Sequence, residues 1–264
     1  MPKEKKRAPL RADMHVHTRF SCDSTEEMDA YCVRAVQSGV DIVCFTEHID
    51  YNPCDNGYNY YRAEEYFETV QNMRERYGGT LKILTGIEFS EPQLYTRELD
   101  ALLRYPYDFV LGSIHFWVGD LFPSQMTRAG VSAEECFEKY WAAMRDMTAC
   151  GHFDCIGHLD FPKRYYGCLR YDREMLTQIL QTAVQGGLIL ELNTSSLRRG
   201  LPSMMPEDEL LRLYRGCGGR YVTVGSDAHR AADLGADGDA ARASLRSLGL
   251  TEVYFERRRM IRLP

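Results

Sequence analysis

Asp13-Met14-His15-Val16-His17 ends the first apolar run of the chain, and the reading of these five residues decides the fold. His15 and His17 stand at i and i+2. On a strand both side chains point to one face, so two imidazoles at a strand tip can grip one metal ion. Asp23 follows six residues after His17. Ligand-type residues then recur at the tips of later apolar runs: Glu47-His48, Glu88, His115, His158, Glu191 with Asn193, and Asp227-Ala228-His229. Six of the seven histidines fall in these clusters. His152 lies outside them and is read as an ordinary structural histidine.

The runs themselves are short, and several are rich in β-branched residues. They cover Ala12–Val16, Asp41–Thr46, Lys82–Phe89, Phe109–Ile114, Cys155–Leu159, Leu188–Leu192 and Tyr221–Gly225. Apolar residues at helical spacing predict helices between them, over Glu26–Gln37, Ala63–Tyr77 and Pro92–Leu103. Ser132 with Glu135 forms a capping box for a helix through Ala149. Further helices are expected over Asp172–Gln185 and over Pro206–Tyr214, the latter with proline at its first position. Glycines at 39, 78–79, 186–187 and 218–219 close helices. Strand followed by helix, seven times, predicts an α/β fold with parallel strands. Polar clusters at every strand end favour a closed TIM-like barrel, with the site at the C-terminal ends of the strands. The loops Asn52–Tyr61 and Trp117–Arg128 are expected to overhang that site, and Arg230–Asp239 to be a mobile loop.

Composition narrows the function. A net charge of −6 and a pI near 5.7 argue against a nucleic-acid surface, which needs clustered Lys and Arg. No apolar run approaches the roughly 20 residues of a membrane span. The basic stretch Met1–Arg7 lacks the apolar region of a secretory signal, and residues 1–10 are expected to form a flexible tail. The nine cysteines are scattered without CxxC spacing, which reads as free thiols in a reducing cytoplasm. Cys22 and Cys44 lie near the clusters but are not read as ligands.

Neutral imidazole and carboxylate are the donors that zinc, manganese and iron accept together. Glu88, at the tip of the third run, has two oxygens with which to bridge two ions. Barrel closure sets the first and last strands side by side, so His15-x-His17 and Asp227-x-His229 would converge. Glu191 is either a partner that orients a ligand or half of a salt bridge.

As a set, Asp13–His17, Thr46-Glu47-His48, Gly86-Ile87-Glu88, Gly112-Ser113-Ile114-His115, Gly157-His158-Leu159-Asp160 and Gly225-Ser226-Asp227-Ala228-His229 resemble the polymerase and histidinol phosphatase (PHP) superfamily. Tyr107–Phe116, Leu192–Gly200 and the last two motifs are most similar to its histidinol-phosphatases. The resemblance implies a distorted (β/α)7 barrel, one domain over residues 1–264, and three divalent transition-metal ions (Zn, Mn or Fe). His15, His17, Glu88 and Asp227 would hold the first ion. Glu88 would bridge to a second, held also by His115 and His158. Asp23, His48 and His229 would hold the third, with Asp23 where some members carry histidine. The implied activity is hydrolysis of L-histidinol phosphate in histidine biosynthesis. The alternatives are another small phosphoester (phosphotyrosine, a nucleotide, a sugar phosphate) or a non-catalytic metal-binding module. Glu88 and Asp227 would act through the metals, and a metal-held water, Asp160 or His229 would protonate the leaving group. Arg198, then Arg164, are the candidate cations for the phosphate, because each follows a predicted strand and guanidinium offers a planar donor fork. Ser195 would add a hydrogen bond. Glu47, Glu91 or Asp160 would read the amine and imidazole of the substrate.

Overall fold

Each apolar run forms a strand, and the strands lie side by side in chain order in the computed structural model, which describes residues 10–263. They are β1 (Ala12–Val16), β2 (Ile42–Ile49), β3 (Lys82–Ser90), β4 (Phe109–Ser113), β5 (Cys155–Ile156), β6 (Ile189–Asn193) and β7 (Tyr221–Gly225). All neighbouring pairs are parallel. The ring closes at its C-terminal end, where Val16 bridges Ala228, the His17 N–H donates to the Ala228 carbonyl (2.9 Å) and the Asp227 N–H to the His15 carbonyl (2.8 Å).

The crossover helices are α1 (Met28–Ser38), α2 (Ala63–Tyr77), α3 (Thr96–Leu102), the short α4 (Pro123–Arg128), α5 (Ala133–Cys150), α6 (Lys163–Tyr166), α7 (Arg173–Gln185), α8 (Ser195–Arg198), α9 (Asp208–Gly216) and α10 (Gly238–Leu248). Ser132 Oγ and Asp172 Oδ1 cap α5 and α7 by accepting from the N–H groups of Glu135 and Met175. Alternation along each strand separates two cores. Val43, Phe45, Ile83, Ile87 and Val110 face the helices, while Ile42, Cys44, Leu84, Phe109 and Leu111 fill the barrel. Tyrosines from three helices reach across the outer core to backbone near the site. Tyr31, Tyr66 and Tyr140 donate to the carbonyls of Ala228, Phe45 and Leu159.

β1 carries a bulge that sets the site. Asp13 pairs with Val43, but the next partners are Val16 and Phe45, so β1 spends one extra residue. Below the bulge Ala12 and Met14 point into the barrel core; above it Val16 joins the outer core, and His15 and His17 face inward.

Several expectations need correction. The sheet has nine strands: β8 (Thr251–Glu256) runs parallel to β7, and β9 (Arg259–Arg262) returns antiparallel to it. Val253, Tyr254 and Phe255 join the inner core. The helix expected from Pro92 starts only at Thr96, because Glu91 takes a left-handed φ of 50° and the chain turns there. The helix expected from Pro206 starts at Asp208, with Glu207 as its N-cap. Arg230–Asp239 is pinned rather than loose: Leu234 is buried, the Gly235 N–H donates to Asp13, the Ala231 N–H to Glu26, and Thr194 Oγ1 to the Ala236 carbonyl. The expected tail falls outside the described residues except for Leu10, which packs on the inner core.

Candidate metal centre

At the closed end of the barrel five imidazoles gather around one carboxylate. Glu88, 1% exposed, presents each oxygen to a different donor set. Oε2 lies 3.2 Å from His15 Nε2, 3.5 Å from His17 Nε2 and 3.1 Å from His48 Nδ1. Oε1 lies 2.7 Å from His158 Nε2 and 3.5 Å from His115 Nε2. Asp227 Oδ1 completes the first set, 3.6 Å from His17 Nε2 and 3.9 Å from His15 Nε2. A third set opens at the rim, where Asp23 Oδ2 is 3.0 Å from His229 Nε2 and 3.5 Å from His48 Nε2. Asp227 holds a left-handed φ of 54°, and His158 one of 22°, a cost that recurs where backbone is shaped for function.

Proton positions follow from the outer partners. His15 Nδ1 donates to Glu191 Oε1 (2.6 Å). His17 Nδ1 donates to Ser21 Oγ (3.1 Å), whose own hydrogen goes to Glu47 Oε2 (2.7 Å). His115 Nδ1 pairs with Ser90 Oγ (2.8 Å). The Nε2 lone pairs of His15 and His17 are thus turned on each other at 2.9 Å. Two acceptors that close repel unless a proton or a cation stands between them. Burial works against charging His15, but Glu191, Glu88 and Asp227 outweigh it and raise its pKa well above the usual range; burial and then the charges of His48, His229 and His15 push His17 well below it. Burial would raise Glu88 and Asp227, yet the imidazoles, and for Asp227 first Arg164, hold both carboxyls well below the carboxylate range. Asp23 and Glu88 overcome burial to lift His48 to about 10. Ionised carboxylates and inward-facing imidazoles with their Nε2 atoms turned on one another are the chemistry of a transition-metal site.

The donor sets floor an open cavity of roughly 370 Å³, within the range of small-molecule pockets. Both expected overhanging loops line it, through Cys54–Asn56 and through Phe122 and α4. Arg164 lies in its wall, with its side chain 8% exposed. Arg164 Nη2 donates to Asp227 Oδ2 (2.8 Å) and Ser195 Oγ (2.6 Å), the guanidinium lies over the Phe161 ring at 4.9 Å, and Nε has no partner.

The expected roles of five side chains give way. Arg198 does not line the cavity; its Nη2 donates to the carbonyls of Ser226 and Asp227, bracing the strained Asp227 backbone. Ser195 is covered, and its hydroxyl sits among Asn193, Asp227 and Arg164. Asp160 is fully buried against Lys163 Nζ (2.9 Å) and the Glu207 N–H, away from any leaving group. Glu47 is consumed by Thr18 and Ser21. Glu91, which burial raises to about 7, lies beneath the floor, accepting from the N–H groups of His115 and Phe116. Glu191 is the orienting partner, since it also accepts the His158 N–H at 2.8 Å. His152 pairs with Asp100 at the surface, far from this chemistry. The sequence reading missed Asp50, Arg128 and Arg199, all in the cavity wall. Asp50 stands at i+2 from His48, so the spacing rule that singled out His15 and His17 reaches it too.

Among the described residues no helix is long and apolar enough to cross a membrane. The PHP domain family model matches residues 13–195. A probable histidinol-phosphatase of Thermotoga maritima is 30% identical over 227 residues, covering 84% of this chain and 86% of the relative. One from Clostridium acetobutylicum is 28% identical, covering 94% and 98%. The crystal structure of histidinol phosphate phosphatase from Lactococcus lactis subsp. lactis, complexed with zinc, L-histidinol and phosphate, shares the fold with a TM-score of 0.82 at 23% identity, covering 97% of this chain and all of that one. With motifs, barrel and family model in agreement over most of its length, the chain belongs to the PHP domain family.

Proposed function

We propose that this chain is a metal-dependent phosphomonoesterase that hydrolyses L-histidinol phosphate to L-histidinol and phosphate. The observation that carries the chemistry is the division of Glu88 between two donor sets, beside an arginine with an unused buried donor. The substrate is supported by the relatives named probable histidinol-phosphatase, which this chain matches over most of their length.

Three ions fit the donors. His15, His17, Glu88 and Asp227 would hold the first, Glu88, His115 and His158 the second, and Asp23, His48 and His229 the third. Bound there, divalent ions supply Lewis acidity, which readies a nucleophile near neutral pH and offsets charge on the phosphoryl oxygens. The chain does the rest. Glu191 and Ser21 hold His15 and His17 in the tautomers that leave Nε2 free. Arg164 and Arg199 bring fixed positive charge to the phosphate, with Phe161 holding the Arg164 plane. His229 spends its Nδ1 hydrogen on the Asp227 carbonyl (3.1 Å), so its Nε2 would be left for the third ion rather than for protonating the leaving oxygen.

The test is phosphate release by metal-analysed protein from L-histidinol phosphate, p-nitrophenyl phosphate, phosphotyrosine and a nucleoside monophosphate. The expected result is a kcat/KM for histidinol phosphate at least about a hundredfold above the others. Equal weak rates on all four would discard the substrate and keep the phosphoesterase.

A further inference from the structure

The cavity holds a second pair of carboxylates that take no part in the three donor sets. Asp50 follows β2, and Asp55 lies in the loop beyond; both line the cavity. Asp50 is 6% exposed, and its Oδ1 has no hydrogen-bond partner. Its nearest basic group is His115 Nδ1, which at 3.8 Å is beyond hydrogen-bond reach and lies closer to Ser90 Oγ, at 2.8 Å. Asp55 Oδ1 accepts the Gly57 N–H at 2.6 Å. The two carboxylates converge over that glycine: a Cβ on Gly57 would lie 2.5 Å from Asp50 Oδ2 and 3.1 Å from Asp55 Oδ1. Among the described residues neither forms an ion pair with Lys or Arg.

Two carboxylates brought together under cover repel, and a cation between them relieves the repulsion. The placement in the barrel says which kind. The acidic pair follows β2, whereas Arg164 follows β5 and Arg199 follows β6. In a ring of seven strands β5 and β6 stand across from β2. One end of the cavity therefore suits a phosphate, and the other a positive charge. An aliphatic amine is charged throughout the neutral range, while a free imidazole is mostly neutral there.

We propose that Asp50 and Asp55 form a cation subsite that binds the protonated amine of an amino-substituted phosphate ester. This rests on the phosphomonoesterase reading and adds the feature of the substrate that the site selects. The subsite accounts for the partnerless Asp50 oxygen and for glycine at position 57, where any side chain would push the carboxylates apart.

The experiment compares wild-type holoenzyme with Asp50→Asn and Asp55→Asn. The readouts are kcat/KM for L-histidinol phosphate and for its desamino analogue, 3-(imidazol-4-yl)propyl phosphate, together with bound metal. The expected result is that the preference for the amine-bearing ester falls about tenfold to a hundredfold, the range of a hydrogen bond to a charged group, chiefly through KM and at unchanged metal content. An equal loss on both esters overturns the proposal. So does loss of metal in Asp50→Asn, because His48, Asp50 and His115 also lie within reach of one ion. Should Asp50→Asn not fold, Asp55→Asn, which is half-buried, decides by the same ratio. If the wild type cleaves p-nitrophenyl phosphate but neither imidazole ester, the histidinol assignment falls. The ratio between O-phosphoethanolamine and ethyl phosphate then decides the amine subsite by itself.

Discussion

Replacing Glu191 by glutamine tests whether the outer partners set the metal affinity. Glu191 uses both oxygens, one for the His15 Nδ1–H (2.6 Å) and one for the His158 N–H (2.8 Å) and Asn193 Nδ2 (3.2 Å). Glutamine keeps one acceptor and turns the other into a donor. If the NH2 faces His15, the ring must shift its hydrogen to Nε2, and that nitrogen no longer offers a lone pair to the first donor set. If it faces His158, a buried N–H loses its acceptor next to a residue already held at a φ of 22°. Loss of such an outer partner costs about 10- to 100-fold in metal affinity, or about 1.4–2.7 kcal/mol. The unsatisfied group costs the apo fold about 1–3 kcal/mol in addition. Metal affinity is read by competition with a chromophoric chelator, and apo stability by urea unfolding. A folded Glu191→Gln protein that binds metal within twofold of wild type would refute the reasoning.

Three further outcomes follow from the same geometry. Gly225→Ala would set a Cβ 2.2 Å from Glu191 Oε1 and 2.4 Å from His15 Cβ, so it should weaken metal binding as Glu191→Gln does; chelator competition unchanged from wild type would contradict this. Arg164→Ala should raise KM about tenfold to a hundredfold and more than Arg198→Ala does, since only Arg164 lines the cavity; steady-state kinetics giving the reverse order would return the phosphate to Arg198. Lys163→Met strands Asp160 as an unpaired charge, both side chains being 3% exposed or less, and should cost about 3–5 kcal/mol in urea unfolding; a loss below about 1 kcal/mol would show that Asp160 is not held as an ion pair.

The fold was legible because the ligand-type residues other than Asp23 sit at the tips of apolar runs, where strand direction and chemistry give one answer. The closing hairpin was not. Its turn is Arg257-Arg258, both at left-handed φ, with no Gly, Asn or Pro to mark it. The donor residues could be found by type and spacing, but side-chain direction could not. Arg198 and Arg199 are adjacent at the end of a four-residue helix, where neighbours point about 100° apart, and only one reaches the cavity. Asp160 reads as an acid near the site until Lys163, three residues on, proves to cover it. Asp13, at the head of the first motif, serves as a clasp instead, accepting from Ser226 and Gly235 and so tying the last strand end to the first.

The most direct test of the account is metal content and histidinol phosphate turnover of Glu88→Gln beside wild type. The account predicts that wild type holds at least two ions per chain and turns over, and that the variant loses bound metal and activity together, because one carboxylate serves two donor sets. A folded Glu88→Gln protein with full metal content and near-wild-type turnover would contradict it.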